Sequence, residues 1–164
     1  MTPRIRQATP ADAESIATIW RTGWTDAHLG NVPDDLVAAR TPETFTTRAA
    51  DRAAGKDSAT TLVAEVDGAI AGFVMVLDDE VEQVYVDARH RGRGIAAPLL
   101  SAAEAAIRDH GHPTAWLAVV PGNRPARHFY ERQGWQDTGP YDHHAPGGFI
   151  VPVHKYVKDL TTGH

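Results

Sequence analysis

The sequence predicts a mixed α/β domain, because antiparallel strand signals lead into a strand–helix–strand unit. Two β-rich runs, Thr60 to Val66 and Ala69 to Leu77, are separated by Asp67-Gly68, which is a strong hairpin signal. A third run, Glu80 to Val86, continues the antiparallel meander. A helix follows, and the apolar run Thr114 to Val120 then adds another strand. The second half of the chain therefore contains a βαβ unit.

The part of the chain before the meander is predicted to be one short strand followed by helices. Arg4 to Ala8 is the candidate strand. A helix is expected from Thr9-Pro10, because threonine is a common N-cap and proline is favoured in the first turn. Pro33 to Arg40 and Thr41 to Ala54 are predicted to form two further helical segments.

The last part of the chain is predicted to hold a short helix and two strands. Asn123 is a good N-cap for this helix, and Gly134 is a good residue to end it. A strand is expected to begin at Gln136, whereas Gly139 to Gly148, which is rich in His, Pro and Gly, is predicted to be a loop. Phe149 to Val157 is the last predicted strand.

The composition is that of a soluble globular protein. The 164 residues are expected to form a single domain, residues 1–164, in line with usual domain sizes. The formal net charge of −5 argues against a nucleic-acid partner, and the absence of cysteine excludes disulfides and thiolate catalysis. The sequence has neither a signal-peptide pattern nor an apolar run that could span a membrane, so we expect a cytoplasmic protein with no membrane partner.

The loop between the meander and the following helix has the properties of a phosphate-binding site. Arg91-Gly92-Arg93-Gly94-Ile95-Ala96 combines glycines with basic residues on an otherwise acidic chain. Glycine lets the backbone approach a ligand closely. The free N–H groups and the dipole at the start of a helix favour an anion.

Two other interpretations of this loop remain open. It could be a basic strand-to-helix turn without a ligand. Gly92 to Ala97 also fits the dinucleotide fingerprint G-x-G-x-x-G/A, but that fingerprint needs an acidic residue about 20 residues further on, at the end of the next strand. The next strand ends at Val119-Val120-Pro121 without an acid, which disfavours a dinucleotide oxidoreductase.

A second motif follows that strand. Asn123, Ala126 and Tyr130, followed by Gly134-Trp135, fit N-x-x-A-x-x-x-Y and G-[WF]. The earlier loop, from Arg91 to Ala96, fits R/Q-x-x-G-x-G/A. In type and order the two motifs resemble the acetyl-CoA motifs of the Gcn5-related N-acetyltransferase (GNAT) superfamily.

The resemblance implies a central mixed, mostly antiparallel sheet of six to seven strands flanked by helices, in the order β-α-α-β-β-β-α-β-α-β-β, splayed between the fourth and fifth strands. Acetyl-CoA is then the acetyl donor. Its pyrophosphate is expected at Arg91-Gly92-Arg93-Gly94-Ile95-Ala96, and its pantetheine arm along Val84-Tyr85-Val86 of the fourth strand. Asn123, Ala126 and Tyr130 are expected beside the same cosubstrate.

The resemblance further implies that an amine attacks the thioester directly within a ternary complex. Tyr130 is then the candidate acid for the leaving thiolate, since its ordinary pKa of about 10 keeps it protonated at neutral pH. Glu82 is the favoured base, because strand alternation puts it on one face with Val84 and Val86, towards the splayed cleft. The alternative bases are Glu80, His143 and His144.

The acceptor is expected to be a small-molecule amine that binds between the first helices and the late loop. The candidate residues for this pocket are Trp24, His28, Tyr141 and His143. Acetylation of a protein N-terminus or lysine, or a non-catalytic acyl-CoA-binding regulator, are the alternatives, and the presence of Tyr130 favours an enzyme. Many members of the family form dimers, so the resemblance leaves a homodimer open.

The nine histidines do not predict a metal site. His110 with His112, and His143 with His144, are close pairs, but neither pair has a carboxylate at an obvious ligand spacing. We therefore expect no metal.

Overall fold

The computed structural model describes residues 2–161. A seven-stranded sheet forms its centre, and helices pack on both faces. The strands are β1 (Arg4–Gln7), β2 (Thr60–Val66), β3 (Ala69–Leu77), β4 (Glu80–Val86), β5 (Thr114–Val119), β6 (Gln136–Ala145) and β7 (Phe149–Asp159). The α-helices are α1 (Ala13–His28), α2 (Asp34–Ala39), α3 (Pro42–Ala53), α4 (Ala96–Asp109) and α5 (Arg124–Arg132). No helix within residues 2–161 has both the length and the apolar character needed to cross a membrane.

The strand order in the sheet is β1-β2-β3-β4-β5-β7-β6. Neighbouring strands are antiparallel except for β4 and β5, which run parallel and share one register pair, Glu80 opposite Trp116. Beyond that pair the two strands separate. The predicted mixed, mostly antiparallel sheet with splayed fourth and fifth strands is therefore confirmed.

The order of elements contains one more helix than the family pattern implies. Three α-helices lie between β1 and β2, and α2 is a short one of 6 residues. The sequence pattern itself predicts both α2 and α3. The side chain of Thr41 caps α3 by accepting a hydrogen bond from the N–H of Thr44 at 3.4 Å.

The prediction of a loop from Gly139 to Gly148 is wrong as far as Ala145, because β6 continues to that residue and pairs with β7. Gly139 has a φ of +107° and lies where the register shifts between Asp137 and Pro140. The turn-forming residues thus produce an irregularity inside a strand. Pairing with β7 overrides their local preference, and only the tertiary structure supplies that partner.

Two apolar cores lie on opposite faces of the sheet. On one face, α4 packs Leu99 and Ile107 against the strands. On the other face, α1 and α3 bring Trp20 and Phe45 together, with ring centroids 5.6 Å apart. Trp20 is fully buried, so this tryptophan belongs to the core.

Candidate active site

A cavity of about 450 Å³ opens where β4 and β5 separate. Its walls come from both of these strands, from α1, α3 and α5, and from the end of β6. Asn123, Ala126 and Tyr130 of the second sequence motif line it, and so do residues of α1 and α3. The cavity therefore connects the parts of the fold where the sequence predicts the acetyl donor and the acceptor.

A β-bulge at Glu82 interrupts β4, the strand whose residues 80–85 all line this cavity. Gln83 lies opposite Met75 and Val81 lies opposite Val76, so Glu82 has no partner on β3. One extra residue in a strand reverses the alternation of side chains beyond it.

The predicted common face for Glu82, Val84 and Val86 is therefore wrong, although Glu82 does line the cavity, as the sequence predicts. The two valines pack against the core beside α4, whereas Glu82 contacts Arg52 of α3 on the other side of the sheet. Alternation along a sequence assumes a regular strand, and the bulge breaks that assumption at Glu82 itself.

Arg52 binds both carboxylate oxygens of Glu82. The Nε atom of Arg52 donates to Oε1 at 2.8 Å and Nη2 donates to Oε2 at 2.9 Å. Each of the two side chains is only 14% exposed. A bidentate pair of this kind is strong and fixed in geometry, so the oxygens that a base would use are already engaged.

Glu80 also lines the cavity and is better placed to accept a proton. Burial, reinforced by the negative charges of Glu82 and Asp79, raises the pKa of Glu80 to about 7. Its carboxylate makes no ion pair with any residue of the described range 2–161. A base with a pKa near the working pH is the most effective one, and Glu80 meets that condition.

Tyr130 lies on the wall of the cavity. The side-chain oxygen of Asn123 accepts a hydrogen bond from the N–H of Ala126 at 3.3 Å, which confirms the predicted N-cap of α5. The Tyr130 ring packs beside Trp135 and Tyr156, at centroid distances of 6.4 and 6.2 Å. Burial raises the pKa of Tyr130 to about 12, so its phenol stays protonated at neutral pH.

The glycine-containing loop lies outside the cavity, at the start of α4. Gly92 and Gly94 have φ angles of +79° and +72°, a conformation that favours glycine. Within the described part of the chain, no backbone N–H of residues 92–95 donates a hydrogen bond. Arg91 forms an ion pair with Asp26 of α1 at 3.2 Å. The free N–H groups give this loop the donors that an anion needs.

Trp24, His28 and His143, predicted for the acceptor pocket, all line the cavity. Trp24 stacks on His28 with ring centroids 4.6 Å apart, and Nδ1 of His28 lies 2.9 Å from the carbonyl oxygen of Trp24. Burial lowers the pKa of His28 and the pKa of His143, which favours the neutral form of both rings. Among residues 2–161, no three His, Asp or Glu side chains are grouped as metal ligands.

Tyr141, also predicted for the acceptor pocket, lies outside the cavity. It is 40% exposed, and its ring lies 6.0 Å from that of Trp116 and 5.2 Å from Nζ of Lys155. The prediction assumes one loop that brings Tyr141 and His143 together. Strand β6 instead holds these two residues about 7 Å apart along its axis.

Three arginines that the sequence analysis missed line the cavity: Arg40 at the end of α2, and Arg48 and Arg52 on α3. The sequence feature that could have revealed Arg48 and Arg52 is their position on the apolar face of α3. Arg48 follows the buried Phe45 by three residues, and Arg52 follows one turn later. A cation on the core-facing side of a helix needs a partner, and that requirement marks a candidate site.

Comparison with known proteins finds relatives over most of the chain. Residues 18–135 match the acetyltransferase (GNAT) family. The streptothricin acetyltransferase of Streptomyces lavendulae is 31% identical to this chain over 158 residues, and 84% of each protein is covered.

Solved structures share the fold. A putative acetyltransferase from Salmonella typhimurium, solved with its cofactor acetyl-CoA, has a TM-score of 0.72 and 20% identity, covering 98% of this chain and 95% of that one. A phosphinothricin acetyltransferase from Sinorhizobium meliloti, in complex with acetyl-CoA, has a TM-score of 0.71 and 19% identity. The match covers 98% of this chain and 89% of that one.

The different environments of Glu80 and Glu82 predict opposite effects on stability. The pKa of Glu80 rises from 4.5 to about 7 on folding, so its contribution to stability falls as the pH rises through 7. Glu80→Gln should therefore be more stable than the wild type at pH 8, by about 1 kcal/mol or more, and this gain should shrink towards pH 5. Urea unfolding at both pH values, followed by tryptophan fluorescence, measures the difference.

Glu82→Gln is the matched control, because it leaves the largely buried Arg52 side chain without its carboxylate partner. It should destabilise the protein at pH 8 by about 1–3 kcal/mol. A loss of stability at pH 8 in Glu80→Gln would contradict the unpaired, buried state of Glu80.

Proposed function

Because this chain belongs to the Gcn5-related N-acetyltransferase (GNAT) family and is an acetyl-CoA-dependent acyltransferase, we propose that it acetylates a primary amine of a small molecule. The observation that carries the proposal is the cavity at the separation of β4 and β5, which joins Tyr130 to Glu80 and the acceptor residues. A relative named for the acetylation of streptothricin supports a small-molecule acceptor. The amine attacks the thioester directly, within a ternary complex.

The residues present fit acetyl-CoA, which supplies the acetyl group as a thioester. The free N–H groups of residues 92–95 bind the pyrophosphate, and Arg91 and Arg93 add positive charge. The edge of β4 at Val84-Tyr85-Val86 has no register partner on β5, so its backbone groups are available to the amides of the pantetheine arm. Asn123 forms the adjoining wall.

Proton transfer requires one base and one acid in this proposal. Glu80 accepts the proton of the amine, because its pKa of about 7 leaves a large ionised fraction at neutral pH. Tyr130 donates a proton to the leaving sulfur, since its phenol is protonated and lies on the cavity wall. A backbone N–H on the free edge of β4 stabilises the oxyanion of the tetrahedral intermediate.

Glu82, the base favoured from the sequence, has another role in this proposal. Its oxygens are bound by Arg52, and its charge contributes to the raised pKa of Glu80. Glu82 therefore helps to raise the pKa of the base, Glu80, and does not itself accept the proton.

The function is tested by acetyl transfer to a panel of amines, measured as release of free thiol from acetyl-CoA. The wild type should acetylate at least one class of small amine. Gly94→Val should lose acetyl-CoA binding in calorimetry, because its side chain enters the loop that holds the pyrophosphate. Gly111→Val is the matched control, since Gly111 also has a positive φ, of +91°, with open space around it, but lies after α4. Unchanged acetyl-CoA binding by Gly94→Val would overturn the role of the loop.

Tyr130→Phe removes only the hydroxyl group and keeps the ring that packs against Trp135 and Tyr156. We expect kcat to fall on the order of 10²-fold, the usual size of a general-acid contribution, with acetyl-CoA affinity within a few-fold of the wild type. Tyr156→Phe is the control, because the Tyr156 hydroxyl is bound by Arg127 and Glu131. Normal turnover by Tyr130→Phe would remove the phenol from the mechanism.

The pH dependence of kcat/KM distinguishes the two glutamates. In the wild type, kcat/KM should rise with pH and level off above an apparent pKa of about 7. Glu80→Gln should abolish this limb and lower the plateau on the order of 10²-fold. Glu82→Gln should keep the limb and move it to lower pH, because the negative charge of Glu82 raises the pKa of Glu80. If the rise of kcat/KM with pH is lost in Glu82→Gln and kept in Glu80→Gln, Glu82 is the base.

A further inference from the structure

The side of the cavity where the acceptor is proposed to bind, formed by the end of α2, by α3 and by the start of β4, carries more positive than negative side chains. Arg40, Arg48 and Arg52 line it together with two carboxylates, those of Glu80 and Glu82. His28 and His143 also line the cavity, and burial lowers the pKa of each ring, which disfavours a positive charge there. The surplus is one cation when Glu80 is ionised and two when Glu80 carries a proton.

The three arginines differ in the partners of their guanidinium groups. Arg52 is bound to Glu82 on both oxygens. Arg40 donates from Nη2 to the carbonyl oxygen of Pro146 at 2.9 Å, which is a neutral acceptor. The guanidinium of Arg48 has neither an ion pair nor a hydrogen bond with any other residue in the range 2–161.

Arg48 is nevertheless held in a fixed position. Its Cζ atom lies 4.6 Å from the centroid of the Trp20 ring, and Trp20 is itself fully buried, in edge contact with Phe45 and Phe73. One face of the guanidinium is therefore covered by an aromatic ring, as cation–π contacts prefer. The N–H groups around its edge remain unused on the cavity wall.

A cation that is removed from water without a partner is unfavourable, and a guanidinium stays protonated at neutral pH. Arg48 is thus preorganised for an anion, and its planar fork matches the two oxygens of an oxyanion. The loop of residues 91–96 does not line this cavity, so the phosphates of acetyl-CoA have their own site and do not account for Arg48.

We infer that the acceptor carries an oxyanion group, a carboxylate or a phosphonate, in addition to its amine, and that Arg48 binds this group with help from Arg40. The acceptor class is then amino acids and related aminophosphonates. This inference rests on the proposed function, because it assumes that the cavity holds the acceptor during acetyl transfer. Polycationic amines are disfavoured, since they would face the guanidinium groups of Arg40 and Arg48, neither of which is paired with a carboxylate among residues 2–161.

The test compares acceptors that differ only in charge. L-amino acids are assayed against their carboxamides and against aminophosphonates of similar length, together with linear diamines, by thiol release from acetyl-CoA. The proteins are the wild type, Arg48→Met, Arg48→Lys and Arg21→Met, where Arg21 is an exposed arginine of α1. Methionine keeps the apolar stem that covers Trp20 and removes the charge.

The wild type should use at least one amino acid or aminophosphonate with a kcat/KM about tenfold or more above that of the matched amide or diamine. Arg48→Met should lower kcat/KM for that oxyanion acceptor about 10- to 100-fold. Arg48→Met should leave kcat/KM for the matched amide unchanged, and also the KM for acetyl-CoA. Arg48→Lys should lie between the two, because it keeps the charge without the fork. Arg21→Met should behave as the wild type.

Three results would overturn the inference. The first is a wild-type preference for amides or diamines, which would leave the proposed function standing. The second is an equal loss on amino acid and amide in Arg48→Met, which would indicate a packing role against Trp20. The third is thiol release with no amine class despite acetyl-CoA binding, which would overturn the proposed function as well. If Arg48→Met does not fold, calorimetric binding of amino acid and amide to the CoA-saturated wild type and Arg48→Lys gives the same comparison.

Discussion

The separation of β4 from β5 is the constraint on which the rest of the site depends. Glu80 pairs with Trp116, and Asp79 stabilises this pairing by two hydrogen bonds with Trp116. Its carbonyl oxygen accepts from the N–H of Trp116 at 3.0 Å, and its carboxylate accepts from the indole N–H at 3.1 Å. In the described residues no later pair joins the two strands, so the backbone groups of β4 are left for a ligand. The bulge at Glu82 begins at the same place.

One irregularity therefore places two glutamates at the cavity in different environments. Glu82 is paired with Arg52, which is anchored on α3. Glu80, two residues earlier, is half-buried without such a partner, and this is why its pKa approaches 7. Carboxylates in contrasting environments are a common way to divide roles at a catalytic site. Here α3 supplies the contrast, although it lies far from β4 in the sequence.

The features that the sequence predicted correctly have local causes. The Asp67-Gly68 hairpin and the Asn123 cap depend on neighbouring residues, and the motifs identified the family. The features it missed depend on partners distant in sequence. The extension of β6 needs β7, the orientation of Glu82 needs a bulge opposite β3, and the position of the Arg48 guanidinium needs the ring of Trp20. Periodicity contains no information about such partners.

The hydrogen bond from Arg40 to the carbonyl of Pro146 joins the end of α2 to the turn between β6 and β7. Together with α1 and α3, these segments form the wall proposed for the acceptor, and they come from opposite ends of the chain. The parts that fit acetyl-CoA lie in one continuous stretch, from β4 to α5. In the proposed function, insertions or substitutions in the peripheral segments would alter which amine is recognised while the central stretch keeps the site for acetyl-CoA. A division of this kind allows descendants of one ancestor to diverge in acceptor and keep a common donor.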